Sequence, residues 1–186
     1  MCVRNIGVSM STNFPSTSDL AVCDTASTEG WQSCGASYVA VYGTLRSGGS
    51  NDMAYLRPLI RSVGRTVLQG SLFDLGWYPG LVLDGQRPVV AEIYPLDPAL
   101  EVQLDRIEGL WPTDVGEYTK RIVQMPIRDA DGQESLVDVL VYEAMPEAVS
   151  NAPQIAANDW LAWFAGRGLQ HPDSLASRSR HGQNKK

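Results

Sequence analysis

Two short stretches of this chain combine residue types that can do chemistry. The first centres on Glu108, in the last turn of a helix expected over Pro98–Gly109 and directly before a glycine placed to end it. A helix C-terminus disfavours an anion by about 0.3–1 kcal/mol, and Glu108 borders an apolar stripe beside Ile107. Both effects raise a carboxyl pKa towards the range of a general acid/base. The position also suits a solvated glutamate paired with Arg106 or Lys120. The second stretch is Tyr42-Gly43-Thr44-Leu45, at the end of a strand-like run. A strand that ends in glycine and leaves its sheet presents successive N–H groups without ladder partners, and such a turn can hold a carboxylate or phosphate. Gly43 would allow close approach of a ligand, and Thr44 adds a hydroxyl. An ordinary strand-end turn is the alternative.

The scarce residues exclude much else. The cysteines are Cys2, Cys23 and Cys34, all ahead of the first strand-like run, with spacings that match no zinc motif. The histidines are His171 and His181, both near the C-terminus. A Ser-His-Asp or Cys-His site therefore has no histidine to use inside a core, and a His-rich metal site is excluded likewise. No Gly-Lys-Ser/Thr follows a glycine loop, so a P-loop is absent. Of the lysines, only Lys120 belongs to the body of the chain. Proton chemistry must come from carboxylates, tyrosines or Lys120.

Strands dominate the elements that would position these groups. Tyr38–Tyr42 is β-rich and ends at Gly43; Asn51 and Asp52 look like caps for a short helix over Met53–Leu59, limited by Pro58. Gly64–Leu75 reads as a long strand, Trp77-Tyr78-Pro79-Gly80 as a turn that could line a pocket, and Pro88–Leu96 as another strand. On that last strand Glu92 and Tyr94 share a face, and a buried glutamate is costly unless paired, so Glu92 is either the partner of a buried cation or a residue of a lumen. Asp97-Pro98 supplies an N-cap and first helical residue, Leu100, Leu104 and Ile107 an apolar stripe, and Gly109 the stop. Thr119–Ile127 and Ser135–Glu143 flank Asp131-Gly132, a hairpin turn signal. Tyr118 and Tyr142 fall where these strands begin and end, near the Glu108 helix, and tyrosine there serves amphipathic core or ligand contact. Pro153–Gly166 reads as a final helix burying Ile155, Trp160 and Trp163 or Phe164. Hairpins outnumber βαβ crossovers, so the expectation is an α+β domain with a mixed, strongly curved sheet.

The chain has 186 residues, 44% hydrophobic and 19% charged, with a net charge of -6. That length and composition fit one globular domain and argue against whole-chain disorder. The acidic balance argues against a nucleic-acid partner. No apolar run approaches the roughly 18 residues of a membrane span, and the first twenty residues lack the apolar core of a secretory signal, so a cytoplasmic protein is expected. Residues 1–36, rich in Ser and Thr, read as a flexible N-terminal arm, residues 37–170 as the domain, and residues 171–186 as a polar basic tail.

One ordered set of motifs adds to this reading. Val41-Tyr42-Gly43-Thr44-Leu45-Arg46 is followed by Tyr78-Pro79-Gly80-Leu81-Val82, Ala91-Glu92-Ile93-Tyr94 and Leu96-Asp97. Then come Leu104-Asp105-Arg106-Ile107-Glu108-Gly109, Tyr118-Thr119-Lys120 and Val141-Tyr142. Over about residues 37–145 this order resembles the γ-glutamylcyclotransferase-like family, which includes the γ-glutamylamine cyclotransferases and the plant AIG2-like proteins. The resemblance implies a small mixed β-barrel flanked by helices. It implies that Glu108 is the catalytic acid/base, and that Tyr42, Gly43, Thr44, Leu45 and Tyr118 surround the γ-glutamyl head group, largely through backbone amides. The implied partner is a small γ-glutamyl amine or γ-glutamyl amino acid, cyclised to 5-oxoproline with neither metal nor organic cofactor. A non-catalytic binding module on the same barrel is the other reading. The family pattern has Tyr-x-Arg where this chain has Tyr118-Thr119-Lys120; a lysine keeps the charge and loses the bidentate fork.

Overall fold

The computed structural model describes residues 29–128 and 132–168. The elements run β1 (Tyr38–Val41), α1 (Met53–Leu56), β2 (Gly64–Asp74), β3 (Pro79–Pro95) and α2 (Pro98–Ile107). They continue β4 (Tyr118–Arg128), β5 (Glu134–Ala144), α3 (Pro146–Val149), β6 (Gln154–Ile155) and α4 (Trp160–Gly166). The strands form one mixed six-stranded sheet in the order β4-β5-β1-β3-β2-β6. β1 lies at its centre, antiparallel to β3 and parallel to β5.

Alternation along β1 explains why the sheet has two apolar faces. Successive strand residues point to opposite sides. Val39 and Val41 join Leu100 and Leu104 of α2 in one cluster, while Ala40 and Tyr42 join Leu68, Leu81, Val141 and Trp160 in the other. The sheet order itself does not close, but β3 also reaches across to β4 and β5. The Tyr118 hydroxyl donates to the Pro79 carbonyl at 2.9 Å, and the Leu83 N–H donates to Glu143 Oε1 at 2.8 Å. These bonds fold the first half of β3 towards β4 and β5, giving a barrel-like α+β domain.

Several boundaries differ from the sequence reading. β3 begins at Pro79, not Pro88, because its pairing with β2 jumps from Gly70↔Arg87 to Ser71↔Val82. Residues 83–86 bulge out between two paired halves of one long strand. The turn that precedes it is closed by a Leu75 N–H to Tyr78 carbonyl bond of 3.2 Å. α1 stops at Leu56, short of Leu59. The expected Pro153–Gly166 helix is split: Ile155 pairs with Leu72 as an edge strand, and α4 starts only after Asp159, whose side chain accepts from the Ala162 N–H. The short α3 was not anticipated. Asp131 lies outside the described residues; Gly132 has φ +82° at the base of the β4–β5 hairpin.

α2 is capped as expected, with Asp97 accepting from the Leu100 N–H and Pro98 opening the helix. Its buried face keeps Leu100 and Leu104 of the expected stripe but not Ile107. Ile107 is 40% exposed, whereas Glu101 and Asp105 are buried beside Leu100 and Leu104. Part of the stretch read as an arm covers these carboxylates. The Trp31 indole donates to Asp105 at 2.6 Å, Ser33 to Glu101 at 2.5 Å, and the Cys34 N–H to Glu101 at 2.8 Å. Among the described residues no helix is long and apolar enough to cross a membrane.

Candidate active site

β1 ends where Gly43 turns the chain out of the sheet. The Gly43, Thr44 and Leu45 carbonyls accept from the N–H groups of Arg46, Asn51 and Met53 at 3.1, 3.0 and 3.1 Å. These turns use the carbonyls of the loop, and the Thr44 and Leu45 N–H groups have no partner among the described residues. Arg46 clamps the loop from behind. Its guanidinium reaches Asp159 at 2.9 and 3.3 Å and lies 3.4 Å from Glu92, which also accepts from the Ser47 N–H and the Tyr94 hydroxyl. Glu92 is therefore the partner of a buried cation, one of the two roles expected for it. Asp52, not Asn51, caps α1; the Asn51 amide faces the Thr44 hydroxyl at 3.3 Å.

Gly43 also lets a neighbouring segment approach closely. A Cβ on this residue would lie 2.7 Å from Pro79 Cγ and 2.8 Å from Pro79 Cδ. Its missing side chain makes room for the first residue of β3, so the strand tip and the Pro79 segment can share one wall.

α2 delivers the acid. Glu108 is the C-cap, its N–H donating to the Leu104 carbonyl at 2.9 Å, and Gly109 reverses the chain at φ +70°. The side chain faces a cavity of about 140 Å³. Burial pushes its pKa up to about 8, with the negative charges of Glu117 and Asp105 adding to the effect. The same cavity is lined by Tyr42, Gly43, Thr44, Leu45 and Tyr118. Glu108, the Tyr42–Leu45 stretch and Tyr118 thus meet around one space, although they come from the end of α2, the end of β1 with the loop after it, and the start of β4.

The tyrosines wall this space with their protons already committed. Tyr42 donates to the Tyr142 carbonyl at 2.7 Å, Tyr118 to the Pro79 carbonyl, and Tyr142 to Asp105 Oδ1 at 2.8 Å. Burial holds the Tyr42 and Tyr118 phenols well above their usual pKa, so neither ionises at physiological pH. Lys120 stands outside the cavity. It pairs with Glu101 at 2.7 Å and Asp105 at 2.6 Å, and it does not touch Glu108. The cationic position where this chain departs from Tyr-x-Arg therefore holds α2 to β4.

A family model described as gamma-glutamyl cyclotransferase, AIG2-like, matches residues 39–162. The chain belongs to this γ-glutamyl cyclotransferase, AIG2-like family. A Vibrio cholerae protein described as "Putative gamma-glutamylcyclotransferase" is 37% identical over 92 residues, covering 50% of this chain and 76% of that protein. The crystal structure of an AIG2-like protein from Mus musculus shares the fold, with a TM-score of 0.55 and 23% identity over 74% of this chain and 96% of that one. In this AIG2-like chain the cavity has further walls that sequence reasoning missed or named only loosely. Glu117 and Asn51 were not among its candidates for the cavity. Tyr78 and Pro79 line it, whereas Trp77 turns away to an edge-on contact with Phe164 at 6.1 Å between ring centres. Glu117 stands directly before Tyr118, and that adjacency is the one local signal that could have found it.

Proposed function

We propose that this chain is a cofactor-independent γ-glutamylcyclotransferase that cyclises γ-glutamyl amides to 5-oxoproline. The observation that carries the reading is the placement of the Glu108 carboxyl and the Gly43–Leu45 strand tip on the same small cavity. The Thr44 and Leu45 N–H groups would hold the α-carboxylate of the glutamyl head group. Its α-ammonium would then lie towards Glu108. Glu108 takes a proton from that nitrogen, and the free amine attacks the γ-carbonyl carbon of the same glutamyl unit. The new C–N bond closes the five-membered lactam, Glu108 gives its proton to the leaving nitrogen as the original amide C–N bond breaks, and the carboxylate so freed takes up the second proton shed by the ring nitrogen.

The pKa of about 8 on Glu108 supports this cycle. An α-amino group titrates at about 8 as well, so proton exchange between the two is nearly free of cost in either direction. General acid–base assistance of this kind is worth about 10²–10⁴-fold. Holding the flexible glutamyl chain folded for ring closure adds to that through orientation.

The test is Glu108→Gln, which preserves shape and removes the base. A folded Glu108→Gln protein that releases 5-oxoproline from γ-glutamyl amides at the wild-type rate would overturn the assignment; a fall of at least a hundredfold is expected.

A further inference from the structure

The charge inventory of the cavity extends past the head group. Its fourteen lining residues include two carboxylates, Glu108 and Glu117, and no lysine, arginine or histidine. The cyclisation chemistry uses Glu108; Glu117 adds to the charge that raises the Glu108 pKa but takes no part in the proton cycle.

Glu117 stands at the rim. Residues 112–116 are all exposed, and Glu117 is the first half-buried residue after them. Opposite in the lining is Tyr78, itself half-buried after the exposed Gly76 and Trp77. The Tyr78 hydroxyl donates to Glu117 Oε1 at 2.9 Å, and the Glu117 carbonyl accepts from the Met145 N–H at 2.9 Å. These two bonds fix the side chain and backbone, and Oε2 has no partner among the described residues. Gly43 and Leu45, which line the same cavity, are buried, whereas Glu117 adjoins exposed residues. A head group seated on that strand tip would direct the amine half of its amide bond outward, towards the side where Glu117 stands.

We infer that Glu117 is a specificity-determining residue that reads charge on the amine half of the substrate, favouring γ-glutamyl amides whose leaving amine carries a second ammonium group. The inference rests on the cyclisation reading. A substrate ending in a carboxylate at the same distance meets Glu117 with no cation in the cavity to offset the repulsion. A substrate ending in ammonium gains an attraction, modest because the rim is wet and screened by salt.

Three γ-L-glutamyl amides of equal length test this: those of butylamine, 1,4-diaminobutane and 4-aminobutanoate, ending in methyl, ammonium and carboxylate. Wild-type kcat/KM, read as 5-oxoproline release, is expected to fall in the order ammonium, methyl, carboxylate, by about tenfold or less per step, and the spread should narrow at high salt. Glu117→Gln keeps an acceptor for Tyr78 and should bring the three values together, with any change it makes through the Glu108 pKa common to all three. Equal wild-type rates on all three would overturn the inference while leaving the cyclisation reading intact. So would a Glu117→Gln variant that keeps the full wild-type spread, because the charge on the amine half would then be read elsewhere. No 5-oxoproline from any of the three defeats the cyclisation reading and this inference with it.

Discussion

Lys120 and Asp105 form a 2.6 Å ion pair about one helical turn ahead of Glu108. The other oxygen of Asp105 takes the Tyr142 hydroxyl at 2.8 Å, so one lysine on β4 anchors both the acid-bearing helix and a wall of the cavity.

Replacing this lysine should expose its structural task. Lys120→Met leaves Glu101 and Asp105, 0% and 1% exposed, without their cation. Breaking such a buried pair costs about 3 kcal/mol or more. Protonation relieves uncompensated carboxylates, so the loss should be largest near pH 7 and shrink as pH falls towards 4.5. Lys120→Arg should retain most of the stability. Urea unfolding of both variants across that pH range checks this; a flat deficit in Lys120→Met would remove the ion pair as its cause.

Glu108 should make the wild-type protein less stable as pH rises. Its folded pKa is about 8 against an ordinary value of 4.5. Below pH 4.5 both folded and unfolded forms hold the proton, and the residue contributes nothing. Between 4.5 and 8 the unfolded chain releases its proton while the folded one keeps it, so the unfolded state binds fewer protons and folding stability drops. Glu108→Gln removes that slope. The variant should match wild type near pH 4 and exceed it by about 2–3 kcal/mol at pH 7. Parallel unfolding curves for the two proteins at both pH values would contradict the raised pKa.

The rate should peak near pH 8. Productive complexes hold one proton between the substrate amine and Glu108, each titrating at about 8. With two protons the amine cannot attack; with none the leaving amine has no acid. A bell-shaped kcat/KM profile for 5-oxoproline release is expected, falling about tenfold per unit on the acid side below pH 7. An acid limb centred near pH 4.5 would show that Glu108 is not the titrating base.

Gly43 and Pro79 should behave as a coupled pair. Gly43→Ala forces a methyl to within 2.7 Å of the Pro79 ring, an overpacking expected to cost about 1–3 kcal/mol and to raise KM by shifting the strand tip. Pro79→Ala removes the two ring atoms in the way. The double variant should therefore recover part of the loss, and a thermal-unfolding double-mutant cycle measures the coupling. Strict additivity would mean that the close approach carries no energy.

Much of the site was legible because its signals are local. Asp97-Pro98 and Gly109 bracket α2 through bonds spanning three or four residues, and they place Glu108 at its end whatever the rest of the chain does. Tyr38–Val41 alternates by strand geometry alone, and Gly43 marks where it stops. The bulge in β3 escaped because a register jump is set by the partner strand. Of the helix expected over Pro153–Gly166 the second half stands as α4, while the first half was misjudged because Ile155 is buried by pairing with Leu72, a partner far away in sequence.

By itself the sequence determined the local elements, the motif order that marks the family, and the poverty of histidine and lysine that leaves carboxylates to carry protons. Tertiary structure alone decided which charges meet. Arg46 is spent on Glu92 and Asp159, Lys120 on Glu101 and Asp105, and Glu108 and Glu117 are left facing a cavity with no cation in its lining. The physical reason is range. Caps and turns act over a few residues along the chain, whereas ion pairing and desolvation depend on distance in space between residues that the sequence holds far apart.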